Sequence, residues 1–240
     1  MENLTTQDLL KNVSLTRPRQ LDAIVKRAVL DSSVLELSSA KFPLENTTNL
    51  YSKRIIDVIF SSFIIICVLT WLIPLIALFI KLDSKGPVFF LQKRKKKGKG
   101  SFTCIKLRTM VLNQEADSLP AYHNDHRITR VGSVLRKHHL DELPQFFNVW
   151  LGQMSLIGPR PYMISDNQKY ENVIPSYHIR HRVKPGMTGL AQSMGFKGTL
   201  LNTYEMNRRV ELDIYYIHNW SFILELRILY RTLLKLFYYK

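Results

Sequence analysis

The sequence predicts an α+β, mainly helical protein, with an N-terminal re-entrant membrane helix-break-helix ahead of a small cytosolic domain. That domain is expected to carry a short β-hairpin and interfacial amphipathic helices. Three observations predict this. A charge-free apolar run, Val58 to Ile80, contains a proline and has basic residues on both flanks. Two strand-like stretches, "GPVFFLQKR" and "SFTCIKLRTM", face each other across a Gly/Lys turn. The C-terminal stretch from Arg208 to Lys240 is aromatic and basic. The boundaries read as residues 1–50 for a polar extension, 51–83 for the membrane segment and 84–240 for the cytosolic domain.

The apolar run covers 23 residues, "VIFSSFIIICVLTWLIPLIALFI". A spanning helix needs about 20, so it is long enough. Soluble helices rarely run this far without a polar face, so a buried core helix is the weaker alternative. Pro74 removes a backbone donor and crowds the preceding turn, which predicts a kink near Leu72 to Pro74. Thr70 is placed to hydrogen-bond a carbonyl freed nearby. Lys53 and Arg54 precede the run, and Lys81, Lys85 and the five consecutive bases Lys93 to Lys97 follow it. Positive flanks favour the cytoplasmic side. A hairpin that dips and returns satisfies both ends, whereas a straight crossing satisfies one. The residues favour the dip by a small margin and leave the crossing open.

Residues 1–50 are mixed and polar, with weak helical periodicity around "LDAIVKRAVLDSSVLEL", and read as a helical extension or arm. After the hairpin, "ITRVGSVLRKHHL" reads as a helix. "LPQFFNVWLGQ" reads as another, with Pro144 in its first turn, where proline is tolerated. "RVKPGMTGLAQ" reads as a loop, with Pro185, Gly186 and Gly189. The C-terminal mixture of Tyr, Trp, Lys and Arg suits a helix lying in the headgroup layer. An ordinary packed helix is its alternative.

A net charge of +15 points to a polyanionic partner. Nucleic acid is one such partner. The basic run lies just behind a membrane segment, however, where anionic lipid explains it more simply. The two cysteines, Cys67 and Cys104, are split between the apolar run and the rest of the chain, which argues against a disulfide. The opening "MENLTTQDLLKN" has no apolar signal core. His123, His126, His138 and His139 lack a partner set with zinc-ligand spacing. GxGxxG and P-loop patterns are absent from the sequence.

The most informative stretch is Arg136 to Pro161, "RKHHLDELPQFFNVWLGQMSLIGPRP". Asp141 and Glu142 stand alone behind Arg136, Lys137, His138 and His139. A helix start stabilises an anion, and a nearby cation keeps a carboxylate ionised, as a nucleophile requires. Two carboxylates beside phosphates also suit Mg2+. A helix cap with a solvated charge is the plainer alternative for any Asp-Glu pair. Arg160, in "GPRP", either sits in a turn or grips a phosphate in bidentate fashion.

Taken in order, "KRIIDVIFS", "IKLDSKGPVFFLQKR", "FTCIKLRTM", "DHRITRVGSVLRKHHLDELPQFFNVWLGQMSLIGPRP", "RVKPGMTGLAQ" and "ELDIYYIHNWSF" make the chain resemble the bacterial sugar transferases of the monotopic phosphoglycosyl transferase superfamily. The resemblance runs from about Tyr51 to Lys240. It implies a re-entrant helix, a site at the cytoplasmic face of the bacterial inner membrane, and Mg2+ as cofactor. It also implies two displacements. The dyad Asp attacks the β-phosphate of a UDP-sugar, UMP leaves, and undecaprenyl phosphate then attacks the phosphosugar-enzyme. By position, Asp141 is the nucleophile and Glu142 the Mg2+ ligand or proton acceptor. Arg136 and Lys106 match active-site cations. Asp213, in "ELDIYY", matches an acidic residue near metal and dyad. Arg160 and Lys184 match basic positions near the nucleotide or phosphates, and Arg108, beside Lys106, is a further substrate-binding candidate. The implied partners are the UDP-sugar, undecaprenyl phosphate and anionic inner-membrane lipid, not nucleic acid. A homo-oligomer is left open.

The chain departs from the family pattern in two places. Many members break the membrane helix at a Ser-Pro pair. Here that position holds Thr70-Trp71, and proline comes one turn later. Many also carry glycine in Q-x-R-x-G, where this chain has Lys96. Compared with relatives bearing four further transmembrane helices, residues 1–50 suggest a short form with an arm. Two rival readings remain: a lipid-acceptor glycosyltransferase that releases UDP, and a non-catalytic basic protein anchored to the membrane.

Overall fold

The computed structural model describes residues 41–113, 122, 125–174, 176–196 and 203–238. Residues 1–40 of the expected extension, and His123, lie outside them. The remainder of that extension is docked: Phe42 and Leu44 are buried in the main core beside a 3-10 turn, Pro43–Glu45. Helix α1, Thr47–Ile64, starts where the Asn46 side chain accepts the Thr48 amide, an N-cap of the usual kind.

From α1 the chain stays helical through a π turn, Ile65–Leu69, into α2, Thr70–Asp83. The whole stretch, Thr47–Asp83, is 37 residues of helix, long and apolar enough to cross a membrane by length and composition. The irregularity expected at Leu72 to Pro74 falls one turn earlier. The Thr70 amide reaches Ile65 O across the wide turn. Thr70 Oγ1 donates to Ile66 O (2.7 Å) and Trp71 Nε1 to Cys67 O (3.0 Å). Two side chains thus bond carbonyls of the widened turn, as expected of Thr70.

Both flanks of this helix are fastened to the same domain. On the α1 side, Asp57 Oδ1 accepts from Ser155 Oγ (3.0 Å) and Leu156 N (2.9 Å). The buried Lys53 pairs with Glu225, which also receives Tyr216 OH and Trp220 Nε1. On the α2 side, Asp83 Oδ2 accepts the Val131 amide (3.0 Å).

The expected hairpin is present: β1, Phe89–Lys95, pairs antiparallel with β2, Ser101–Leu107, with Phe90 opposite Lys106 and Arg94 opposite Phe102. Helix α3, Arg130–Lys137, and helix α4, Gln145–Trp150, fall within their expected stretches. Pro144 sits at the N-cap of α4. The loop reading of "RVKPGMTGLAQ" is corrected, because β4, Gly186–Thr188, pairs in parallel with β3, Ser155–Ile157. Such short strands carry too few residues to show an alternating pattern. Gly158 and Gly186 permit the pairing: a Cβ on Gly186 would sit 2.1 Å from Gly158 N. Helix α5, Ile164–Glu171, a 3-10 stretch, Tyr177–Arg182, and a short α6, Leu190–Ser193, complete the middle of the chain.

The C-terminal stretch is two helices with different environments. Helix α7, Thr203–His218, is buried on several sides and supplies Val210, Ile214 and Ile217 to the main core. Helix α8, Phe222–Tyr238, buries Leu224 and Ile228 and exposes Ile223, Leu226, Tyr230 and Leu233. The spacing of these four residues puts them on one face. Two smaller clusters complete the packing, one of α2 against β2 and α3, the other of β2 against α4. Ile76 and Ile80 meet Leu107 and Leu135, and Phe102 and Cys104 meet Val149 and Met154.

Candidate active site

Asp141 and Glu142 lie in a 3-10 turn, Leu140–Glu142, between α3 and α4. His139 adopts a left-handed conformation (φ 56°), unusual for a residue with a side chain. It reverses the chain as α3 ends, and its carbonyl accepts the Glu142 amide. The position of α3 depends on Gly132, where a Cβ would lie 2.0 Å from Thr109 O. This contact brings Arg136, one turn later, within 2.7 Å of Thr109 Oγ1 through its Nε.

The two carboxylates have opposite circumstances. Glu142 Oε1 accepts from Lys106 Nζ (2.8 Å) and from Arg160 Nη2 (2.9 Å). Burial works against its charge, but Arg160 and Lys106 prevail and hold it well below the usual carboxylate range. The Asp141 carboxylate takes no hydrogen bond or ion pair among the described residues. Burial pushes it above its ordinary value and Glu142 adds to this, while Lys106 and Arg136 pull against the rise. One carboxylate is pinned and anionic, and its neighbour is unengaged and cradled by cations.

The loop that carries Arg160 is held carbonyl by carbonyl. Pro159 O accepts Gly186 N, and Arg160 O accepts Arg180 Nη2 (2.9 Å). Pro161 O accepts Arg94 Nη1 (3.2 Å), and Tyr162 O accepts the Lys95 amide and Asn167 Nδ2. Behind it, Arg180 donates to Asp213 Oδ2 from Nη2 (2.8 Å) and Nε (3.2 Å), and to Tyr177 OH from Nη1 (3.0 Å). Each step is buried or half-buried, so the network fixes the position of Arg160 before any ligand arrives.

Of the residues expected at the site, the structure brings Asp141, Glu142, Arg136, Lys106 and Arg160 together. Three others are placed differently. Arg108 is buried, and its guanidinium donates to the carbonyls of Ser84 (2.8 Å), Lys85 (2.7 Å) and Pro87 (2.6 Å), closing the end of α2. Asp213 is enclosed with Arg180 behind the Arg160 loop. Lys184 lies at Gly152, whose Cβ would sit 3.5 Å from Lys184 Nζ and 3.4 Å from Arg54 Nη2. Burial and then Arg54 lower the pKa of that lysine. The sequence reading overlooked Arg94. Alternation along β1 and β2 could have found it, since Phe90, Gln92 and Arg94 share a face with Cys104 and Lys106.

The dyad offers hard oxygen donors of the kind Mg2+ takes, and among the described residues no three His, Cys, Asp or Glu side chains cluster as a protein cage. Two adjacent carboxylates fit an ion that completes its shell with substrate oxygens and water. Asp213 does not fit, because its side chain is enclosed with Arg180 behind the Arg160 loop, at 3% exposure against 19% for Glu142.

The model of the bacterial sugar transferase family matches residues 48–239. The chain belongs to that family. It is 44% identical over 191 residues to the UDP-glucose:undecaprenyl-phosphate glucose-1-phosphate transferase of Klebsiella pneumoniae, a match covering 79% of this chain and 41% of the relative. It is 41% identical over 189 residues to the exopolysaccharide production protein PSS of Rhizobium leguminosarum bv. phaseoli, covering 77% and 94%. It is 41% identical over 184 residues to a UDP-N-acetylgalactosamine-undecaprenyl-phosphate N-acetylgalactosaminephosphotransferase of Aeromonas hydrophila, covering 76% and 43%. The matched region is thus about two-fifths of the length of the first and third of these relatives.

Proposed function

We propose that this sugar transferase moves a sugar-1-phosphate from a UDP-sugar to undecaprenyl phosphate, starting a polysaccharide or other glycoconjugate. The observation that carries this reading is the asymmetry of the dyad: a free Asp141 carboxylate beside a Glu142 locked by Lys106 and Arg160. In the first displacement an Asp141 oxygen forms a bond to the β-phosphorus, and the bond from that phosphorus to the bridging oxygen breaks. UMP leaves with the electron pair. In the second, an oxygen of the lipid phosphate attacks the same phosphorus and Asp141 departs as a carboxylate. Dividing the transfer lets one site serve a soluble and a lipid substrate in turn.

Arg160, Lys106 and Arg136 surround the place where charge develops, and their pre-set positions are the main source of catalysis. Glu142 is a poor proton acceptor because its neighbours hold it anionic. Its role is to orient Lys106 and Arg160 through Oε1 and, through its second oxygen, to hold Mg2+. When bound, that ion would neutralise charge on the diphosphate.

The long apolar helix is read as the membrane anchor and as re-entrant, with the site at the cytoplasmic face of the inner membrane. Support comes from its exposed apolar residues, such as Ile59, Ile66 and Leu82, and from the fastening of both flanks to one domain. The exposed apolar face of α8 would lie in the headgroup layer, and the exposed Lys96 and Lys97 would meet anionic lipid.

The test is which nucleotide leaves. Membranes containing the protein, undecaprenyl phosphate and Mg2+ are given a panel of UDP-sugars, and UMP and UDP are assayed separately. UMP release with one donor is expected. Asp141→Asn should abolish it and yield no phosphosugar adduct. UDP release, or substantial activity in that variant, would overturn the covalent role of Asp141.

A further inference from the structure

We propose that Arg94 is a further substrate-contacting residue, and that its unpaired Nε binds the diphosphate of the sugar-nucleotide donor. The inference rests on the phosphoglycosyl-transfer reading above and extends its site by one residue. Three observations carry it.

The first is anchorage. Arg94 forms a backbone bridge with Met163, and the neighbouring Lys95 amide donates to Tyr162 O, so β1 is tied to the loop that bears Arg160. Arg94 Nη1 donates to Pro161 O and Nη2 to the Gln92 side chain. A guanidinium fastened at two nitrogens is held in one orientation, which lowers the entropy lost when the third nitrogen binds a ligand.

The second is the unused donor. Arg94 Nε is buried and has no hydrogen-bond partner. A buried N–H on a cation is costly to leave unmet, and a phosphate oxygen would satisfy it with a charge-assisted bond.

The third is charge. Burial weighs against the charge on Arg94, and Arg160 adds a like charge, with Asp166 and Glu142 as its balancing partners. The site therefore gathers Arg94, Arg160, Lys106 and Arg136 around Asp141, Glu142 and Asp166, and stays net positive until an anion enters. Two guanidiniums side by side are suited to a phosphate bearing several oxygens.

Position along the hairpin selects the donor over the lipid. Lys106 lies opposite Phe90, at the strand end that follows the membrane helix. Arg94 lies four residues further along β1, roughly 13 Å away at the strand rise. A lipid phosphate approaching beside the helix would reach the Lys106 end, and a soluble diphosphate would extend toward Arg94.

The experiment compares Arg94→Gln and Arg94→Lys with Lys93→Gln, a neighbour exposed on the opposite face of β1. The wild-type protein in nanodiscs is assayed first for UMP release. If it releases none with any donor, the reaction assignment itself fails, and this proposal with it. With an active wild type, Arg94→Gln should raise the KM for the UDP-sugar roughly 10- to 100-fold, the effect of losing a charged hydrogen bond. The KM for undecaprenyl phosphate should hold within a factor of two or three. Arg94→Lys should recover only part of the loss, and Lys93→Gln should match wild type. Unchanged donor KM in Arg94→Gln would overturn the assignment. So would an equal loss toward both substrates accompanied by a lower melting temperature, which would make Arg94 a structural clamp on Pro161.

Discussion

Asp213→Asn separates two roles for the same carboxylate. The resemblance to the family suggests an acid near the metal, whereas the structure encloses Asp213 with Arg180 behind the Arg160 loop. The side chains of this pair are 3% and 1% exposed, so removing the negative charge leaves a buried guanidinium without its counter-ion. Breaking such a pair costs about 3–5 kcal/mol. A protein of this size loses about 2–4 °C of melting temperature per kcal/mol, so the variant should melt on the order of 10 °C lower. The same substitution loosens Arg180 from Arg160 O, and with it the grip of Arg160 on Glu142. Turnover at saturating substrate should fall even well below the new melting temperature, and the Mg2+ concentration for half-maximal rate should not move. A double-mutant cycle with Arg180→Gln should show strong coupling, because either single change already breaks the pair. The assays are thermal unfolding in detergent and initial rates across a Mg2+ series. An unchanged melting temperature together with a several-fold weaker Mg2+ response would refute the reasoning and return Asp213 to the metal.

Three other outcomes are expected. Asp141 must be ionised to attack, and burial raises its pKa against the pull of Lys106. The rate of adduct formation should therefore fall on the acid side, and Lys106→Met should move that limb to higher pH; an unmoved limb in a pH–rate profile would count against Asp141 as the titrating group. His181 is held neutral by burial and by Arg180, its pKa lowered from 6.5 to about 3. The unfolded state then binds more protons between those values, so stability should drop as pH falls through that window and the drop should flatten in His181→Gln, read by urea midpoints from pH 7 to 4. Gly132→Ala puts a methyl 2.0 Å from Thr109 O, which should cost about 1–3 kcal/mol in chemical denaturation and slow turnover by displacing Arg136.

What could be read in the sequence divides along physical lines. The hairpin, α3, α4 and the long apolar helix were legible because each carries a local pattern: alternation, a helical period, or a charge-free run. The helix irregularity was legible as a fact but not as a place. Pro74 announces a missing donor, yet the ladder adjusts over the preceding turn, where Thr70 and Trp71 supply side-chain donors. The β3–β4 pairing was not legible, since it depends on two glycines far apart in sequence that let backbones touch. The division of the C-terminal stretch was missed for a related reason. Both α7 and α8 are rich in aromatic and basic residues, and only packing decides that α7 is buried on several sides while α8 keeps an apolar stripe exposed.

The site shows the same division at the level of single residues. A motif supplies residue types, and a cation's role depends on what its nitrogens are given to hold. Arg108 and Arg160 both occupy recognisable stretches. Three backbone carbonyls enclose Arg108, whereas Arg160 reaches Glu142 from a loop whose own carbonyls are held by Arg180, Arg94 and Asn167. The carboxylates follow the same logic. Asp213 and Glu142 each hold a guanidinium, which keeps them in place. Asp141 holds none, and a nucleophile must keep its lone pairs free until a phosphorus arrives. The adjacent pair thus divides its work: Glu142 organises the cations, and Asp141 is left to use the field they create.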